Sequence, residues 1–125
     1  MEGLNEVPEH SPTIVDRNST VQEVFRVGPS LIHRHSGRVE SPSGKRWLRR
    51  KELELLVHLY AHVSRTFTRE ALLREVWRCR PDLLTRTVDQ TVATLRRKLN
   101  EDSAKPKYLV TVYGVGYQLR QTAAE

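Results

Sequence analysis

Residues 86–99 read Arg-Thr-Val-Asp-Gln-Thr-Val-Ala-Thr-Leu-Arg-Arg-Lys-Leu, and the spacing of their apolar members decides the fold. Val88, Val92, Leu95 and Leu99 recur at spacings of four, three and four, which lines one narrow apolar stripe along a helix spanning about Arg86 to Leu99. At about 100° per residue the opposite face carries Arg86, Gln90, Ala93, Thr94 and Arg97. Such a helix packs by one side and presents polar, partly basic side chains on the other.

Working upstream, Pro81 cannot continue a helix, so Arg78–Leu84 reads as a loop. Ahead of it, Thr68 is placed to cap a second helix, with Glu70 in its first turn and Leu72, Leu73, Val76 and Trp77 as its apolar face. A first helix spans Arg50 to Val63. Leu53, Leu56, Val57 and Tyr60 form its apolar stripe, and Glu54, His58 and His62 lie on another. Before that come two hairpin signals, Ser36-Gly37 and Pro42-Ser43-Gly44, each flanked by apolar residues, which predict three or four antiparallel strands. Downstream, Tyr108–Val112 and Tyr117–Arg120 read as strands joined by a turn at Tyr113-Gly114-Val115-Gly116. The predicted class is α+β: an N-terminal antiparallel β-sheet, a three-helix core and a C-terminal hairpin. A short helix, a connection and then an amphipathic helix with a polar outer face is the helix-turn-helix arrangement that docks in a DNA major groove, and the hairpin beside it is the wing.

Charge supports that direction. Residues 1–24 hold one base, Arg17, against five acids (Glu2, Glu6, Glu9, Asp16 and Glu23), a net of −4, and read as a flexible tail. Residues 25–125 hold 20 bases and 10 acids, a net of +10, and read as the folded domain. That excess suits a polyanion, because lysines and arginines displace counterions from a nucleic-acid backbone. Basic chains also bind membranes and acidic proteins, so charge alone leaves the partner open. Cys79 is the single cysteine, which excludes an internal disulfide and a thiolate zinc cage. The N-terminus lacks a signal-peptide profile and no apolar run reaches membrane-spanning length, so the expectation is a cytoplasmic protein beside the nucleoid, with no membrane partner.

Four motifs in order then carry a family resemblance. They are Leu48-Arg-Arg-Lys-Glu-Leu-Glu-Leu-Leu56, Phe67-Thr-Arg-Glu-Ala-Leu-Leu-Arg-Glu-Val-Trp77, Arg86-Thr-Val-Asp89 with Leu95-Arg-Arg-Lys-Leu99, and Val112-Tyr-Gly-Val-Gly-Tyr117. Together residues 25–120 resemble the OmpR/PhoB-type winged helix, the output domain of many bacterial two-component response regulators. The resemblance implies that the third helix enters the major groove of double-stranded DNA and that the wing reaches a neighbouring minor groove. It implies that the loop Arg78–Thr85, with Arg78, Arg80 and Asp82, touches RNA polymerase, and that copies pair head-to-tail on tandem repeats. About 24 residues precede the resemblance where a receiver domain needs on the order of 100. The expectation is therefore an output domain without its own receiver, monomeric in solution. Departures from the family pattern are Arg49 where a capping Thr or Ser is usual, and Thr91, Ala93 and Thr94 where His and bases are common. Tyr113 stands where the wing commonly has Arg, and Gln118 stands near the place of another base.

On this reading Arg86, Gln90, Thr94 and Arg97 are the base or phosphate readers, since Arg suits guanine edges and Gln adenine edges. Thr87 and Thr91 flank them. Thr68 and Arg69 at the start of the second helix can hold a phosphate with the free N–H groups there. Trp77 is a core residue to which the resemblance adds an indole N–H donated to phosphate. Lys105 and Lys107 supply charge beside the third helix, and Tyr113 sits at the wing tip, either packed or against a groove. Asp89 is favoured near a helix N-terminus by about 0.3–1 kcal/mol and lies on the flank of Arg96, which allows a salt bridge. His58 and His62 read as partly exposed surface histidines; no metal, cofactor or enzymatic constellation is expected. The depleted positions Ala93, Thr94 and Tyr113 motivate a second reading, a winged-helix interaction module that has lost base readout.

Overall fold

Turns at Gly28-Pro29, Ser36-Gly37 and Pro42-Ser43 cut the N-terminal part of the domain into four strands of the computed structural model, which describes residues 21–80, 85–102 and 104–121. They are β1 (Val24–Val27), β2 (Ser30–His33), β3 (Arg38–Ser41) and β4 (Gly44–Trp47), an antiparallel meander in the order β1-β2-β3-β4. The register pairs Phe25 with Ile32 and Ile32 with Val39, so these three side chains share one face, and all are buried. Val21 is packed in the same core, so the folded domain takes in residues ahead of the composition change at Phe25. The flexible tail expected for 1–24 otherwise falls on residues 1–20, outside the described residues.

The first helix, α1, spans Arg50–Ala61. Arg49 offers its start no accepting side chain. Instead the Glu52 carboxylate accepts the Arg49 N–H at 2.8 Å and also the Lys98 ammonium at 2.8 Å, which stops the helix end and ties it to the third helix. The expected apolar stripe is incomplete. Leu55 and Leu59 are fully buried whereas Leu53 is half-buried, because α1 has packing partners on two sides. Tyr60 meets Phe25 of the first sheet, with ring centroids 4.5 Å apart, and the other side faces the later helices. The surface reading of His58 is overturned for the same reason. His58 is buried, bonds Glu75 at 2.9 Å and packs on Phe67. Among the described residues no group of three His, Cys, Asp or Glu side chains is placed to hold a metal ion.

A three-residue strand, β5 (Thr66–Thr68), precedes the second helix; it is too short to register as an alternating pattern. Thr68 caps α2 (Arg69–Leu72) as expected, its hydroxyl accepting the Ala71 N–H at 3.0 Å. The segment Leu73–Trp77 continues as a π-helical turn and ends where Arg78 takes a left-handed conformation, φ 58°. Residues 81–84, including Asp82, lie outside the described residues. The third helix, α3, spans Thr85–Lys98. Strands β6 (Leu109–Val112) and β7 (Gly116–Leu119) form the C-terminal hairpin, and β5 joins it as a third strand in the order β5-β7-β6. Gly116 makes that junction: a Cβ there would collide with the Phe67 carbonyl oxygen.

Candidate nucleic-acid interface

The apolar stripe of α3 is buried as its spacing predicts: Val88, Val92, Leu95 and Leu99 all lie in the core. The opposite stripe therefore faces outward. Arg86, Gln90, Ala93 and Arg97 are exposed in one line, and the side chains of Arg86, Gln90 and Arg97 hydrogen-bond to no other described residue. Thr87, Thr91 and Thr94 flank that line and are half-buried. Thr91 donates its hydroxyl to the Thr87 carbonyl at 2.9 Å, so its proton is already used within the helix.

At the N-terminal half of α3 three elements meet on one carboxylate. Asp89 accepts the Arg69 guanidinium at 2.7 Å and the Tyr117 hydroxyl at 2.6 Å, joining α3 to the start of α2 and to β7. Burial pushes the Asp89 carboxyl up, but the bonds from Tyr117 and Arg69 outweigh it and hold the group below the usual carboxylate range. The same site raises Arg69, chiefly through its bond to Asp89, and raises the Tyr117 phenol through burial and that carboxylate. The Asp89–Arg96 salt bridge allowed by the sequence is not formed. Arg96 turns to the hairpin and donates to the Leu109 carbonyl at 2.9 Å and to the Thr111 hydroxyl at 2.8 Å. Only 7% of its surface remains exposed, and that burial lowers its pKa without removing the charge of a guanidinium.

Sequence reasoning missed this buried Arg96, yet a signal was present. At 100° per residue position 96 falls between Val92 and Asp89, on the margin of the apolar stripe and not on the outer face. Other expected residues are placed less uniformly. Trp77 is half-buried against the core, and Thr68 and Arg69 are exposed at the start of α2. Lys105 and Lys107 are exposed, but they line a hollow with Glu101, Tyr108, Val27 and Pro29, between the end of α3 and the first sheet. They do not share the Arg86–Arg97 line. Arg78 and Arg80 are exposed at the end of the second helical segment. Tyr113 stands at the tip of the hairpin, 87% exposed.

Comparison with known proteins agrees with this geometry. The family described as "Transcriptional regulatory protein, C terminal" matches residues 44–119. The DNA-binding domain of RstA from Klebsiella pneumoniae, solved in complex with the RstA box, shares the fold: TM-score 0.69 at 24% identity, covering 80% of this chain and 99% of that one. The DNA-binding domain of CadC from E. coli aligns with TM-score 0.67 at 28% identity over 78% of this chain and 92% of its own. The response regulator DrrB from Thermotoga maritima, an OmpR/PhoB homologue, gives 0.68 and 27% over 79% of this chain, which spans 45% of DrrB's length. No helix among the described residues is long and apolar enough to cross a membrane. The family match across residues 44–119, which takes in β4, the three helical segments and the hairpin, establishes that the chain belongs to the OmpR/PhoB-type family of transcriptional regulator C-terminal domains, a family of DNA-binding output domains and not of enzymes.

Proposed function

We propose that the chain is a sequence-specific regulator of transcription that binds double-stranded DNA with α3 in the major groove and the wing over the adjacent minor groove. One observation carries this reading: Arg86, Gln90 and Arg97 form a line of unengaged donors on the outer face of a helix whose other face is buried. A helix of this kind fits the width of a major groove, where Arg pairs with guanine edges and Gln with adenine edges. Thr87 and Thr94 lie beside the line, within reach of phosphates or thymine methyls. Thr68, Arg69 and the Trp77 indole N–H are the phosphate contacts at the second helix. Asp89 binds Arg69 through Nε, which leaves terminal guanidinium N–H groups to meet an anion.

Most of the affinity then comes from phosphates and most of the selectivity from α3. We assign contact with RNA polymerase to Arg78, Arg80 and Asp82. The chain is monomeric in solution and pairs head-to-tail on tandem sites. The test is selection from a random-sequence duplex pool with the full chain, followed by titration of the recovered duplex against salt. A recurring motif is expected, with about four to eight counterions in the slope. Retention of all sequences alike, or binding indifferent to ionic strength, would contradict the reading. Retention of a protein partner that survives nuclease treatment, without any motif, would favour the interaction-module alternative.

A further inference from the structure

The wing differs in kind from the helix it is bolted to. From Leu109 to Leu119 the hairpin contains eleven residues and none of Asp, Glu, Lys, Arg or His. A minor groove attracts side chains by its negative potential, most strongly where A-tracts narrow it. The tip itself carries no charge; the nearest are the buried Arg96 guanidinium under the stem and Arg120 just beyond β7. What it offers at the tip is apolar: Tyr113 is 87% exposed and Val115 46% exposed, with Gly114 between them. The Tyr113 side chain forms no hydrogen bond with any other described residue, so most of the ring is open to a ligand.

The stem beneath that tip is held from several directions. Val115 donates its N–H to the Val112 carbonyl at 2.9 Å and closes the turn. Arg96 grips Leu109 and Thr111, Asp89 grips Tyr117, and Gly116 is pressed against the Phe67 backbone. A fixed stem and a protruding ring limit the freedom lost on contact, which favours insertion. We propose that the wing acts on DNA as an uncharged wedge, Tyr113 entering beside a base step with Val115 against the groove wall. The ligand feature it selects is a deformable pyrimidine–purine step next to the α3 site, in place of a narrow A-tract. This inference rests on the DNA-binding reading above and specifies how one part of that surface recognises its target.

The experiment uses the full chain and a duplex recovered from the random pool, with 2-aminopurine placed at successive positions flanking the motif. Binding is expected to raise fluorescence at one flanking step. Tyr113→Ala should abolish that rise and weaken binding about tenfold while leaving the salt slope unchanged. Tyr113→Phe should keep both the rise and the affinity, and Tyr113→Arg should steepen the slope by about one counterion. Since the exposed ring makes no bond within the domain, these variants should melt with the parent chain. Tyr113→Ala that binds and reports as the parent overturns the wedge. If Arg86→Ala/Gln90→Ala/Arg97→Ala still loses the motif, the wedge alone has failed; if that variant also recovers the motif, base reading by α3 has failed with it. Loss of a nuclease-resistant protein partner on Tyr113→Ala, with DNA binding intact, overturns the wedge in favour of protein docking.

Discussion

The outer face of α3 and the wing are neighbours on one rigid frame, yet they are built from opposite chemistry. The helix face is a line of long donors, Arg86, Gln90 and Arg97, over a buried apolar stripe. The hairpin is free of charge from end to end and exposes an aromatic ring. Both are positioned by the same two side chains, Asp89 and Arg96, which lie on one flank of α3 and reach the hairpin through Tyr117, Leu109 and Thr111. The difference teaches that a shared scaffold can divide recognition. On the proposed reading, hydrogen bonding to base edges belongs to one element and a shape-dependent contact to the other.

The largest effect should come from stripping the charged side of that comparison. Arg86→Ala/Arg97→Ala is expected to weaken binding to the selected duplex on the order of a hundredfold or more and to narrow its preference over random duplex, read by anisotropy. The wing can be disturbed without touching charge. Gly116→Ala places a methyl group into the Phe67 carbonyl, so β5 and β7 must part. A loss of about 2–3 kcal/mol is expected, seen as a fall in Tm on the order of 10 °C or more.

Asp89→Asn cuts the link between the two regions. Because the folded chain holds this carboxyl below its ordinary value, the stability it contributes is complete above that ordinary value. It is lost as pH falls through the lowered folded value. Asp89 and Arg69 are both substantially exposed, so solvent screening keeps the effect near about 1 kcal/mol. Urea midpoints between about pH 5 and pH 2 should decline less steeply in the variant than in the parent. The smallest effect concerns neither region. Arg78 occupies a left-handed cap suited to glycine, and Arg78→Gly should raise stability by about 0.5–1 kcal/mol while leaving DNA binding within a few fold.

Much of this was legible from residue order alone, and the exceptions have physical causes. The α3 stripe was readable because one face packs and one does not, so its period is clean. On α1 the period blurred, because the helix is covered on two sides; Leu55, Leu59 and His58 are buried where a single stripe predicted Leu53. Arg49 does not cap α1, as its side chain requires, and the group that closes this end is the Glu52 carboxylate three residues on. The missing Asp89–Arg96 bridge is a matter of competition. Arg69 and Tyr117 come from distant segments and satisfy Asp89, and no local spacing announces them.

The central claim is that the exposed line on α3 reads base edges. The most direct measurement repeats the random-pool selection with Arg86→Ala/Gln90→Ala/Arg97→Ala beside the parent chain, after matched melting curves show both are folded. A recurring motif is expected for the parent and none for the variant, which should keep only weak, salt-sensitive retention. Recovery of the same motif by both chains would contradict it and place base reading elsewhere on the domain.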